Sequence, residues 1–311
     1  MIKKEVQDWL DEFNNVTVPG LLAAGFKPTP TNAREGLAAM TSLMVTEIPR
    51  VAQVYDDIVY AQEYNVPVRI YNPAPDEALP VIVHYHGGGH MAGSVTVYDP
   101  ICRKIATKTK HIVVTAEYRL APENPYPAGM HDAFNVAKYV WSVLDARKIK
   151  YKKELSLVGD SGGAALVASV AMRAQFDGTM KIKSQSMIYP SLDYTMQSQS
   201  MIDNGVGYLL AASKIAWYFD NYFQHAENRK AASPLYWEFG PNLPRTQIFT
   251  AEYCPLKDEG MAYVEKARAA GIYTEHYHLD NMIHTFMNME SICREEADFV
   301  YAKMSEFLNK E

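Results

Sequence analysis

The chain has 311 residues, of which 48% are hydrophobic and 21% charged, and its formal net charge is −6. This composition is typical of a folded globular protein with room for one large α/β domain or two ordinary ones, and it excludes a disordered chain. The acidic balance argues against a general nucleic-acid binder, because there is no basic excess to neutralise phosphates.

The N-terminal segment MIKKEVQDWLDEF lacks the uninterrupted apolar run of a signal peptide. No apolar stretch of about 18 residues, the length needed to cross a membrane, occurs in the chain. Cys102, Cys254 and Cys293 form an odd, widely spaced set without a CxxC pair, which favours a reducing compartment and no zinc site. We therefore expect a cytoplasmic protein with no membrane span.

Short apolar runs alternate with amphipathic segments along most of the chain. Strands are predicted at 54–61, 66–72, 80–86, 111–118, 154–160, 184–190, 245–252 and 273–279, the first two as a hairpin. Helices are predicted at 97–110, 128–149, 162–176, 259–270 and 292–309. This alternation predicts an α/β fold whose mostly parallel sheet is covered by helices on both faces.

Two segments do not follow the alternation. Residues 1–45 are predicted to form one or two helices before the first strand, and residues 192–236 are an insertion rich in Tyr, Met and Trp. Both could be surface decoration. An aromatic insertion beside the carboxyl ends of parallel strands is also where a lid over a ligand site would lie.

The strongest local signal is LVGDSGGAAL at 156–165, a GxSxG motif that directly follows a predicted strand and precedes a predicted helix. A sharp strand-to-helix turn strains the serine backbone and leaves room only for glycines beside it. The Ser161 hydroxyl is then lifted out of the sheet above a helix N-terminus, which makes Ser161 a candidate nucleophile.

A second signal is HYHGGGHMAGS at 84–94, which also follows a predicted strand. The consecutive glycines 87–89 expose backbone N–H groups that, with the Gly162 amide, could hold the oxyanion of a tetrahedral intermediate. Two alternatives remain: a flexible glycine-rich turn, or a metal site on His84, His86 and His90. The metal alternative is weak because no carboxylate is placed to complete the site.

The third signal is HLDNMIHTFM at 278–287, after the last predicted strand. The order serine, acid, histidine along the chain is that of the α/β-hydrolases, and His284 is the histidine in the matching place. His276 and His278 lie within the strand pattern and are interpreted as structural.

Taken together, HGGG, YRLAPENPYPA (118–128), GDSGG, PLKDEG (255–260) and the late histidine resemble the bacterial hormone-sensitive-lipase-like esterase family. The resemblance extends to YPSLD, Trp217 and SPL in the insertion. It implies an α/β-hydrolase core at 46–191 and 237–311, with an eight-stranded sheet, and a helical cap built from residues 1–45 and 192–236. It also implies cofactor-free hydrolysis of a small-molecule ester with a short or medium acyl chain, and a homodimer formed through an edge of the sheet.

By the same resemblance, each part of the site has a residue. The nucleophile is Ser161 and the base is His284, while the amides of Gly88, Gly89 and Gly162 are the oxyanion donors. Asp160, Arg119 and Glu123 are implied to be structural supports.

The chain departs from the family pattern at three positions. Gly162 replaces the usual alanine and still supplies an amide, and Thr285 replaces a glycine after His284, which would crowd that loop. The serious departure is Cys254, which stands where the family has the acid of the triad. That acid orients the imidazole and stabilises the imidazolium, whereas a neutral thiol is a poor acceptor without charge.

Two carboxylates near Cys254 are candidates for the missing acid. Glu252 is expected to lie on the strand and interact with the sheet. Asp258 precedes a helical segment, so it is either the N-cap of that helix or a substitute acid. We expect a recognisable but impaired esterase site, with a non-catalytic small-molecule binder and an amidase or lactonase as alternatives.

Overall fold

A computed structural model describes residues 1–310. Eight strands form one sheet: β1 (Gln53–Val59), β2 (Val66–Asn72), β3 (Leu79–Tyr85), β4 (Ile112–Ala116), β5 (Tyr151–Asp160), β6 (Ile182–Ile188), β7 (Arg245–Tyr253) and β8 (Thr274–Ile283). The helices that connect or flank the core strands are α4 (Asp99–Thr109), α5 (Ala128–Ala146), α6 (Gly162–Ala174), α10 (Lys257–Ala269) and α11 (Glu290–Leu308). Every predicted strand and core helix is present, with ends that differ by a few residues.

The strand order in the sheet is β1-β2-β4-β3-β5-β6-β7-β8. β2 pairs antiparallel with both β1 and β4, and all remaining pairs are parallel. The predicted hairpin is therefore the antiparallel edge of a sheet whose other strands run together and end at one side.

The apolar runs in the central strands are explained by burial on both sheet faces. Ile82 and Val113 pack in one hydrophobic cluster with α4 and α11. Their neighbours Val81 and Val114 point the other way, into a second cluster with α5, α6 and α10. Since alternate side chains face opposite sides of a strand, a strand covered twice must be apolar at nearly every position.

The two segments outside the alternation are helical. Residues 4–44 form α1 (Lys4–Glu12), a π-helical turn (Phe13–Thr17), α2 (Val18–Ala23) and α3 (Pro30–Met44). The insertion contains α7 (Gln199–Asp203), α8 (Ala212–Tyr222) and α9 (Arg229–Ala232). The two segments touch each other, because Asn14 Nδ2 donates to Gly207 O over 2.8 Å.

Arg34 fastens α3 to the core. Its guanidinium donates to Met91 O and Ala121 O, both at 2.9 Å, and forms an ion pair with Glu123 at 2.6 Å. Glu123 therefore has a structural role, as predicted: it binds Arg34 and so helps to hold α3 over the carboxyl ends of the strands. Over residues 1–310, every helix is too short or too polar to cross a bilayer.

Candidate active site

Ser161 lies in the sharp turn between β5 and α6, with φ 52° and ψ −121°. The chain can make this turn only because its neighbours have no side chains. A Cβ on Gly163 would come within 2.1 Å of Tyr85 O, and one on Gly159 within 2.7 Å of Gly163 O. Backbone contacts of this kind cannot relax by side-chain rotation, so the glycines are required and the strained serine is held above the sheet.

The HGGG loop follows β3 and lies beside this turn. Gly88 and Gly89 have φ values of 125° and 62°, a region that favours glycine. A Cβ on Gly162 would lie 3.1 Å from Gly89 N, so the backbone at Gly162 and the loop amide are neighbours. The three glycines predicted as oxyanion donors are therefore brought together at one edge of Ser161.

Asp160 braces the loop from below. Its Oδ1 accepts from Gly87 N at 2.8 Å and its Oδ2 accepts from Tyr98 Oη at 3.0 Å. Burial raises the pKa of Asp160 to about 7, and these hydrogen bonds oppose that rise. Asp160 thus connects the turn at Ser161 to the HGGG loop, which is a supporting role.

His284 follows β8, and its Nε2 lies 2.9 Å from Ser161 Oγ. The ring packs at 4.6 Å, centroid to centroid, from Tyr189. Burial, and secondly the positive charge of Lys214, lowers the pKa of His284 to about 3. The imidazole is therefore neutral at physiological pH, as a base must be before it accepts a proton.

Cys254 occupies the other side of His284. Its Sγ lies 3.2 Å from His284 Nδ1 and accepts from Leu256 N at 3.3 Å. The side chain is fully buried, and burial raises the pKa of the Cys254 thiol far above its usual range. The group that holds the histidine is thus a neutral thiol.

A neutral thiol and a carboxylate control the imidazole differently. A carboxylate can only accept, so it keeps the proton on Nδ1 and leaves Nε2 free to act as the base. A thiol can either donate or accept, so it is compatible with both tautomers of His284. It also carries no charge to stabilise the imidazolium that forms during the reaction.

Asp258 is not the substitute acid, and it is not an N-cap. Helix α10 begins at Lys257 after Leu256, so Asp258 lies inside the first turn without capping that helix. Its Oδ2 accepts from Ser200 N at 2.7 Å, and its own N–H donates to Ser200 Oγ at 3.1 Å. The carboxylate is thus turned towards the N-terminus of α7, while Cys254 fills the position beside His284.

Glu252, the other carboxylate considered near Cys254, interacts with the sheet as expected. It accepts a hydrogen bond at 2.9 Å from Nε2 of His278, on the neighbouring strand, and forms an ion pair with Lys257 at 3.0 Å. His276 and His278 both contact Thr250 Oγ1, at 2.8 and 2.9 Å, so these histidines link strands.

The histidines of the HGGG region make aromatic and hydroxyl contacts. His84 Nδ1 lies 2.9 Å from Thr115 Oγ1, while the ring centroid of His86 lies 4.4 Å from that of Tyr118. Residues 1–310 contain no group of three or more His, Cys, Asp or Glu side chains arranged to hold a metal ion. Arg119, the remaining predicted support, forms a two-pronged ion pair with Asp132 at 2.7 and 2.9 Å.

A cavity of about 650 Å³ opens above Ser161 and His284. Its walls come from α1–α3, from the insertion around α8 and from the core loops, and most are apolar. They include Trp9, Phe13, Leu22, Phe26, Leu37, Met40, Leu209, Trp217, Tyr218 and Phe219. Lys214 and Tyr218 also line the cavity. They could not be predicted from the sequence, because no local pattern marks a helical residue as facing a cavity.

Comparison with known proteins agrees with this geometry. A family model described as alpha/beta hydrolase fold matches residues 82–288. The chain belongs to this family.

Named relatives and solved structures extend the result. The carboxylic ester hydrolase LipN of Mycobacterium tuberculosis is 34% identical over 72% of this chain and 62% of its own length. The ester hydrolase EH1AB1 from the metagenome of Lake Arreo has a TM-score of 0.89 at 27% identity, covering all of both chains. The gibberellin receptor GID1C of Arabidopsis thaliana is 28% identical over 69% of each chain. The predictions of the fold, of the esterase family and of a hydrolase are confirmed.

Proposed function

We propose that the protein is a serine carboxylesterase that acts on short- to medium-chain acyl esters through an acyl-enzyme. The observation that carries the proposal is a chain of two hydrogen bonds that connects three side chains. Cys254 Sγ lies 3.2 Å from His284 Nδ1, and His284 Nε2 lies 2.9 Å from Ser161 Oγ. These hydrogen bonds end beside the backbone amides of the HGGG loop, at the floor of an apolar cavity.

Each residue has a defined role in this mechanism. Ser161 Oγ attacks the ester carbonyl carbon while His284 Nε2 takes its proton, and the carbonyl oxygen becomes an oxyanion held by the amides of Gly88, Gly89 and Gly162. The intermediate collapses as His284 returns the proton to the leaving alcohol, which leaves the acyl group on Ser161. Water then attacks the acyl-enzyme by the same steps, and the carboxylic acid is released.

Cys254 makes this site weaker than one with a carboxylate. Replacement of the triad acid of a serine protease by an amide costs on the order of 10⁴ in rate because the histidine adopts the wrong tautomer. A buried neutral thiol shares that defect, since it permits both tautomers and adds no negative charge. We therefore propose an active but impaired esterase.

The substrate range follows from the cap. We propose that residues 1–45 and 192–236 form one helical cap over the core, because both segments line the cavity above Ser161. About 650 Å³ with mostly apolar walls suits a short or medium acyl chain. An amidase or lactonase would use the same parts.

A non-catalytic small-molecule binder is the second candidate, and Cys254 is the observation that favours it. A receptor needs the cavity and not the acid, and a protein named as a gibberellin receptor is 28% identical to this chain. The hydrogen bond from Ser161 to His284 favours the enzyme, because a binder has no need of it.

Labelling with a fluorophosphonate separates the two candidates. We expect the reagent to modify Ser161, the labelled protein to lose p-nitrophenyl butyrate hydrolysis, and the Ser161→Ala variant to stay unlabelled. The matched control is Ser94→Ala, which removes a hydroxyl near the same glycine-rich loop and should leave labelling intact. An unlabelled wild-type protein that hydrolyses no ester would support the binder instead.

The proposal also covers location and assembly. Three free cysteines, all buried, suit a cytoplasmic protein. A homodimer would form through an edge of the sheet, at β1 or β8, and analytical ultracentrifugation would detect it as a doubled mass.

A further inference from the structure

Lys214 is a cation in the wall of the catalytic cavity. Among the described residues that line the cavity, the Lys, Arg, His, Asp and Glu side chains are Lys214, Asp160 and His284. Asp160 is occupied by Gly87 N and Tyr98 Oη. Among residues 1–310, no carboxylate forms an ion pair with Lys214, and its Nζ lies 5.8 Å from the centroid of the Tyr218 ring.

The Tyr218 ring beside this ammonium also packs on the glycine-rich loop. Tyr218 lies one helical turn after Lys214 on α8, and its Cδ2 would be 2.6 Å from a Cβ on Gly89. The ring therefore packs directly on the loop proposed to hold the oxyanion. The charge of Lys214 also reaches His284, since it is the second cause of the lowered pKa of that imidazole.

In the free protein this cation is compensated by solvent and not by a carboxylate. Lys214 is an exposed residue, although desolvation by the surrounding protein lowers the pKa of its ammonium. Lys214 N donates to Ala211 O in the first turn of α8, where the helix dipole also opposes a positive side chain. During the reaction, the same charge opposes the imidazolium that forms on His284, and Cys254 provides no compensating anion.

We propose that Lys214 binds a carboxylate on the substrate, so that the preferred substrates are esters that also carry a free carboxylate. This inference rests on the proposed esterase function and adds the substrate class. A bound carboxylate neutralises the ammonium and removes its repulsion of the imidazolium. The substrate thus contributes part of the negative charge that the triad lacks, and it raises kcat as well as lowering KM.

The test compares pairs of esters that are matched in their carbon chain and differ in whether they carry a carboxylate. Mono-(4-nitrophenyl) glutarate and 4-nitrophenyl pentanoate have the same acyl length and differ in a terminal carboxylate or methyl group. The butyrate ester of 4-hydroxybenzoate, compared with phenyl butyrate, places the carboxylate on the leaving alcohol instead. Rates are corrected for spontaneous hydrolysis and measured at constant ionic strength.

We expect wild type to favour at least one charged ester over its neutral partner by about 10- to 100-fold in kcat/KM, the range for a hydrogen bond to a charged group. Lys214→Met should abolish that preference, and Lys214→Glu should reverse it. The matched control is Lys153→Met, at the opposite end of β5 from Ser161, which should keep the preference. Equal kcat/KM for charged and neutral esters in wild type, or a preference that survives in Lys214→Met, would overturn the proposal.

Failure of the esterase proposal gives a different result. If wild type hydrolyses the neutral esters without preferring the charged ones, the function stands and the role of Lys214 is wrong. If it hydrolyses none, calorimetry with monomethyl glutarate decides about Lys214 without turnover. Binding to wild type that weakens at least 10-fold in Lys214→Met supports carboxylate recognition, and equal binding or no binding contradicts it.

Discussion

The two sides of His284 differ in how they are built. On the Nε2 side, Ser161, the HGGG loop and Asp160 are connected by close backbone contacts and hydrogen bonds of 2.8–3.0 Å. On the Nδ1 side, the imidazole meets a neutral thiol at 3.2 Å. An unpaired lysine ammonium lies in the wall of the cavity.

This difference separates two requirements of a serine hydrolase site. The position of the proposed nucleophile and of the proposed oxyanion amides is a steric matter, and most substitutions there would collide with backbone. The charge balance around the histidine is electrostatic, so the fold tolerates a thiol that we expect to slow the proposed reaction. We therefore expect substitutions on the Nε2 side to damage the protein and substitutions on the Nδ1 side to improve or redirect it.

The largest expected effect is on the Nε2 side. Gly163→Ala would place a Cβ 2.1 Å from Tyr85 O, so we expect a loss of about 3 kcal/mol or more in the free energy of unfolding. Urea denaturation measures this loss. Gly178→Ala is the matched control, because a Cβ there meets nothing within 4 Å and should change stability by less than about 0.5 kcal/mol. Equal stability of the two variants would contradict the steric account.

The second expected effect is on the pH dependence of kcat/KM. Because burial lowers the pKa of His284 to about 3, the base form persists through mildly acidic pH. We expect wild type to keep a level kcat/KM from about pH 5 to 8, without the loss near pH 6.5 that an unperturbed histidine would cause. A carboxylate in Cys254→Asp would raise the pKa of His284 and move the acidic limb to higher pH. An acidic limb near pH 6.5 in wild type would contradict this environment for His284.

The smallest expected effect concerns the residue after His284. Thr285 has φ 70° and ψ 13°, where a side chain with a Cβ costs about 1–2 kcal/mol relative to glycine. Glycine loses more entropy on folding, about 0.5–1 kcal/mol, so Thr285→Gly should raise the free energy of unfolding by up to about 1.5 kcal/mol. Thr96→Gly, at an exposed position without a positive φ, should lower it instead. A loss of stability in Thr285→Gly would show that the loop is not strained.

The parts of the site that the sequence predicts are those dictated by local sterics. The order of strand, glycine, serine, glycine and helix allows few backbone paths, so the turn at Ser161 and the adjacent strands follow from the motif alone. The central strands are buried on both faces of the sheet, so their continuous apolar runs also predict strands from the sequence. Cys254 was predicted at the acid position from the resemblance to the esterase family, and it follows directly on β7.

The parts that the sequence could not predict depend on distant partners. Asp258 is close in sequence to Cys254, which occupies the position of the family acid. Its carboxylate nevertheless binds Ser200, which lies 58 residues earlier in the insertion. Lys214 belongs to an amphipathic helix and is exposed, as a lysine on a helix surface usually is, and only the packing of α8 over the core also makes it a lining residue of the cavity. Helix spacing gives no information about what a neighbouring segment will enclose.

The most direct test of the account is the rate of p-nitrophenyl butyrate hydrolysis by Cys254→Asp. The new carboxylate would accept from Leu256 N and from His284 Nδ1, which keeps the proton on Nδ1 and stabilises the imidazolium. We predict a gain of about 10² to 10⁴ in kcat for Cys254→Asp, and less than about 10-fold change for Cys254→Ser, which is also neutral. Equal rates for wild type and Cys254→Asp, both well above the background hydrolysis of the ester, would contradict the claim that the thiol limits this site.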